Sequence, residues 1–405
     1  MSTERAYARS PHQEKTMQLS SRMLARLAVG PLALAAAGAL GTATASASPG
    51  PSRVVGHVYV NDNTAGTNTV AGFDRHADGA LTPIPGSPFT AGGAGTGAGL
   101  ASQGSVQLSS DGRWAIAVDA GSGQISVLRV HPDGRLTAVS SGPVASGGSD
   151  PVSVAAHGGL VYVANASATA PNYSGFRLTS KGVLKPLAGS TVTLPDGSQP
   201  GDVLFNDTGS RLVGTRVGSS EIDSFAVDAN GLLTQPAGSP FAAQGVGPFG
   251  SVFSPTKPSQ LFVTNAHNAP GDSTVSTFID AADGTLTPQA SSPVANGQSG
   301  SCWAAITPNG KTLFSVNTGS GTVTSYSVGN GGALKVIQSV PIRDGAGAGN
   351  SVDATVSPDG QDLYVLESLT GGVAEFDIAG GQLRELASDP AALPAGATAA
   401  GIAIN

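Results

Sequence analysis

From Cys302 onward the chain runs through four short segments rich in apolar and hydroxyl-bearing residues: CWAAIT, KTLFSVN from Lys311, TVTSYSV from Thr322 and ALKVIQ from Ala333. Each is six or seven residues long and is bounded by polar, turn-forming residues, which is the pattern of strands rather than helices. Asn309-Gly310 and Gly331-Gly332 supply the positive φ angles that tight hairpins require. The same arrangement recurs. A turn followed by leucine appears at Leu81, Leu136, Leu184, Leu233, Leu286, Leu334 and Leu383, in stretches such as ADGAL, PDGRL and ADGTL. Seven copies at spacings of 55, 48, 49, 53, 48 and 49 residues match one four-stranded propeller blade per repeat.

The ends of the chain complete this pattern. Val54 to Asp62 reads as a second strand with no first strand before it, whereas Gly401-Ile402-Ala403-Ile404 at the other end has the character of an innermost strand. The sequence therefore predicts an all-β fold: a seven-bladed β-propeller of four-stranded antiparallel blades, its first blade closed by the C-terminal strand. Closure removes the open edges that invite aggregation.

Composition fits a turn-rich chain, with 57 Gly and 27 Pro among 405 residues and only 12% charged. Arg22 and Arg26 precede an apolar, Ala-rich run from Leu27 to Leu40, and Ala45-Ser46-Ala47 fits a small-x-small cleavage site. Residues 1–47 are expected to be a secretory signal, residues 48–405 the propeller domain, and the protein extracellular. Removing that leader takes five of the 20 basic and two of the 27 acidic residues, leaving 15 and 25 and a formal charge of −10. Nucleic acid is thus an unfavourable partner, no later segment is long and apolar enough to span a membrane, and a monomer is expected. The single cysteine, Cys302, excludes an internal disulfide and reads as a small buried residue. Trp303 beside it reads as core, or as a stacking surface for a sugar or aromatic ligand.

The DG-x-L turns, the second strands VYVANA at Val161 and LFVTNA at Leu261, and SGTV at Ser320 resemble the lactonase-type seven-bladed propellers. That family includes bacterial 6-phosphogluconolactonase and the carboxymuconate-lactonizing enzyme, and the motifs are shared with YVTN-repeat propellers. The resemblance implies lactone chemistry carried by a Gly-Pro-Arg-His stretch and a glutamate after a strand ending in asparagine. Here that frame runs from Gly247-Pro248 to Asn265, with Phe249 at the arginine, Gly250 at the histidine and Ala266 at the glutamate. None of these side chains offers a cation or a proton donor.

The second strands are expected to end at Asp62, Asp119, Asn165, Arg216, Asn265, Asn317 and Glu367, all on one loop face. Asn and Asp there suit local turn caps, whereas Arg216 and Glu367 break the pattern with opposite charges. His267 follows on the loop after Asn265, and Asp150, Asp202, Asn350 and Asp353 lie near the starts of innermost strands. Gly92 to Gly99 reads as a flexible crossover loop. No metal-binding spacing, phosphate cradle or nucleophile elbow is found, and no cofactor is implied. Two readings stay open. One is a lactone hydrolase or isomerase at the channel mouth using Arg216, Glu367, His267 and Asp119. The other is a non-catalytic propeller that recognises a glycan, small molecule or protein.

Overall fold

A computed structural model describes residues 52–342, 351–368, 370–386 and 391–405. The proposed leader at 1–47 and Asn350 lie outside the described residues. Seven antiparallel sheets follow one another, each built on a path of four strands, and six of them carry a short fifth strand paired with the third. The innermost strands of blades 2 to 7 are Val106–Leu108, Pro151–His157, Pro200–Phe205, Pro248–Ser254, Ser301–Ile306 and Ser351–Val356. In blade 1 that place is taken by Gly401–Ile404, which pairs with Val54–Asn61, Val60 lying opposite Ile402. The C-terminal strand thus closes the first blade, as the sequence pattern predicts.

Why the DG turns recur is visible in how one blade rests on the next. Gly134 and Gly182 hold φ at 76° and 78°, which costs a residue with a Cβ far more than glycine. Each turn also leans on the second strand of the preceding blade: a Cβ on Gly134 would run into the His57 ring, and one on Gly182 into Trp114. Tyr59 Oη donates to Gly134 O at 2.9 Å, and Tyr162 and Tyr364 donate likewise to Gly231 and Gly79. The repeat is therefore an inter-blade joint as well as a hairpin.

Between successive blades lies an apolar layer. Tyr364, Leu366 and Val373 of blade 7 meet Val58, Val60, Phe73 and Ile402 of blade 1, and corresponding clusters fill the other six interfaces. Ile402 is only 4% exposed, so the closing strand contributes packing as well as hydrogen bonds. Among the described residues no helix is long and apolar enough to cross a membrane.

Candidate functional site

At one end of the channel the second strands finish where the innermost strands begin, Asn165 opposite Pro151 and Arg216 opposite Pro200. The register moves one predicted position. Asn61, not Asp62, is the strand-end residue of blade 1, because Asn61 pairs with Gly401 and Val70. The run Asn61-Asp62-Asn63 made these neighbours hard to separate by residue type.

Most strand-end side chains reach across to the third strand rather than only capping their own turn. Asp119 accepts from Ser126 Oγ at 2.5 Å and Asn68 Nδ2 at 2.9 Å. Asn165 donates to Asn172, Asn317 donates to Thr324, and Arg216 clasps Asp223. In each of these blades the partner lies seven residues downstream. Burial raises the Asp119 carboxyl, with Ser126 and Asn68 pulling it back.

Arg216 is fully committed in this arrangement. Its Nε and Nη2 grip the two oxygens of Asp223 at 2.7 and 2.5 Å, Nη1 reaches Glu221 at 3.4 Å, and Tyr173 Oη donates to Asp223 at 3.1 Å. Arg216 is 5% exposed and Asp223 0%. Burial pulls the guanidinium pKa down, but the Asp223 bonds outweigh it and push it up. Glu367 is also fully buried and accepts from Thr370. His267 is exposed and rests over Gly247. Arg216, Glu367, His267 and Asp119 stand on blades 4, 7, 5 and 2, and none of the contacts just described joins one to another.

What occupies the mouth is the chain itself. Gly92 to Gly99 is tied down rather than free: Asn63 accepts from Thr96 N and donates to Ala98 O, and Gly95 bridges to Ala65. The following residues then cross the channel. Ser102 Oγ donates to Val152 O of blade 3, Gln103 N to Gly201 O of blade 4, and Gln103 Nε2 to Ser251 O of blade 5. Blade 6 donates back, Ala304 N to Gln103 Oε1 and Trp303 Nε1 to Ser102 O, both at 2.9 Å. Gly104 N reaches Asp353 Oδ2 of blade 7. Three consecutive residues are thus stitched to five blades.

Gln103 of this plug sits against Gly250, the position the sequence frame aligns with a histidine. A Cβ on Gly250 would fall inside the Gln103 amide and against Cys302 O, so no histidine fits there while Gln103 is seated. Phe249 packs edge-to-face on Trp303, ring centres 5.1 Å apart, and Ala266 and Val217 join the same buried cluster. Trp303 is core, as its sequence suggests. Burial pushes the Cys302 thiol up to about 11, which suits an inert thiol rather than a nucleophile.

Two acids line the channel beside the plug. Asp202 accepts from Ser251 N and Oγ, and Asp353 from Gly104, Ile402 and Ala354 N–H groups. Burial pushes both up to about 7, hydrogen bonds pulling each back. The folded state therefore holds these protons more tightly than the unfolded chain, so their stabilising effect is full below about pH 4 and is lost as pH rises to about 7. Surface carboxylates with lowered values, such as Asp111 beside Ser109, oppose this only below that window. The melting temperature is expected to fall by several degrees between pH 5 and pH 8, and less steeply in Asp202→Asn; scanning calorimetry across that range checks it.

Among the described residues no group of acidic, histidine or cysteine side chains is placed to hold a metal ion. Sequence reasoning missed the plug and Asp223. The repeated seven-residue spacing was the available signal for Asp223.

Comparison with known proteins agrees with this architecture. Solved structures with the same fold include a Bacteroides uniformis protein assigned as a 6-phosphogluconolactonase, with TM-score 0.69 and 18% identity over 87% of this chain and 100% of that one. A second is the periplasmic gluconolactonase of Pseudomonas aeruginosa, with TM-score 0.65 and 17% identity over 86% of this chain and 98% of that one. No curated protein sequence matches significantly. Residues 106–394 match the family described as lactonase, 7-bladed beta-propeller. The chain belongs to the lactonase family of seven-bladed β-propellers.

Proposed function

We propose that this protein is an exported, ligand-binding member of the lactonase propellers that no longer opens lactones at its channel mouth. The observation that carries this reading is Gln103, seated where the family's histidine would project, with Phe249 and Ala266 where its arginine and glutamate would stand. Opening a lactone needs a group to stabilise the developing oxyanion and another to activate water. Arg216 is neutralised by Asp223, and Glu367 is fully buried. Export is supported by the basic, apolar and small-residue sequence of residues 22–47. Fold likeness alone does not carry the family's chemistry.

A second reading rests on Asp353. It borders a chamber of about 260 Å³ beyond the plug, lined also by Gln103, Gln107 and Thr355. With a pKa near 7 it has the proton affinity of a general base acting on a small lactone there.

Both readings are separated by incubating the purified mature protein with five- and six-membered sugar lactones, with and without a phosphate. No hydrolysis above the spontaneous rate is expected. Saturable turnover overturns the binding reading, and its loss in Asp353→Asn would assign it to the chamber.

A further inference from the structure

On the opposite face, among the DG turns, lies a groove of about 1170 Å³ running across blades 1, 2 and 3. Arg53, Arg129 and Lys181 line it, one from each blade. Arg75, Arg113, Arg135, Arg211, Arg216 and Arg384 each pair with a carboxylate. Arg53, Arg129 and Lys181 are different: among the described residues none makes an ion pair or a side-chain hydrogen bond. The two acidic side chains in the lining are already engaged, Asp74 with His57 at 3.0 Å and Asp133 with Arg135 at 2.8 Å. Three cations without an ion-pair partner thus line one concave surface of an acidic protein.

We propose that this groove binds an anionic oligosaccharide, with Arg53, Arg129 and Lys181 contacting successive acidic groups along it. The proposal rests on the binding reading above and supplies its ligand class. Cations distributed over three blades suit several spaced charges rather than a single phosphate. The groove exceeds the usual range of about 300–1,000 Å³ for small-molecule pockets, which favours an extended ligand. Trp114 and the imidazoles of His57 and His131 line the same groove, and rings with a polar edge suit sugar hydroxyls and faces. Guanidinium groups can grip carboxylates through two parallel hydrogen bonds.

The test is calorimetric titration of the mature protein with an oligogalacturonate and with a neutral maltohexaose of similar length. Binding of the acidic oligomer alone is expected, weakening as salt is raised. The exposed double substitution Arg129→Ala/Lys181→Ala should weaken it at least tenfold with melting unchanged, whereas Lys257→Ala, on blade 5, should not. Absence of oligogalacturonate binding, equal binding of the neutral oligomer, or unaltered affinity in the double variant overturns the proposal. Lactone turnover measured on the same samples fails or succeeds independently, so loss of the groove assignment is distinguishable from loss of the non-hydrolytic reading.

Discussion

A chain ending at Ala400 is expected to melt more than about 10 °C below the full-length protein, with a smaller cooperative transition. Four residues of strand pairing vanish, including Val60 with Ile402 and Asn61 with Gly401. Ile402 is lost from the layer between blades 7 and 1 and Ala403 from that between blades 1 and 2. Truncating a buried isoleucine alone costs about 2–5 kcal/mol, and each lost hydrogen bond about 1 kcal/mol more. Two interfaces of the ring then open together, and blade 1 presents a bare edge. The full-length Ile402→Ala variant isolates the packing part and should show an intermediate fall. Thermal melts of the three chains make the comparison; equal melting of the truncated and intact chains would mean the ring does not depend on its closing strand.

Asp223→Ala is expected to cost about 3–5 kcal/mol, because it leaves the Arg216 guanidinium buried with only the distant, partly exposed Glu221 for compensation. Tyr173 loses its acceptor in the same step. Pairing the change with Arg216→Met removes the stranded charge, so the double variant should be more stable than Asp223→Ala alone. Denaturant unfolding of the two single variants and the double gives the coupling. Additive losses would show that Arg216 and Asp223 act independently, against the bidentate geometry. This separates a structural Arg216 from a catalytic one, since a cation free to serve substrate would not need Asp223 for stability.

The ring was legible because its signal is local and repeated. The repeated turn needs glycine for its backbone angle and again for its close approach to the preceding blade, so Gly134 and Gly182 mark the fold twice. The closing strand was legible from complementary deficits at the two termini. The mouth was harder to read, because its structure depends on residues far apart in sequence. Nothing around Gln103 announces partners at Gly201, Ser251 and Ala304, and a Gly-rich stretch before it suggests freedom rather than anchoring by Asn63. Arg216 stood out by its charge, but its partner lay on the next strand. Asn165 with Asn172 and Asn317 with Thr324 repeat that spacing, so the sequence carried the clue without showing which side chains would meet.

The claim that the chain seals its own channel mouth is tested most directly by amide hydrogen exchange at Gln103 and Gly104. Their N–H groups are held by Gly201 O and Asp353 Oδ2, inside the ring. Exchange as slow as that of Ile402 N–H, which shares the Asp353 acceptor, is the predicted result. Exchange as fast as that of the exposed Gly99 would contradict a seated plug and return the mouth to consideration as an open site.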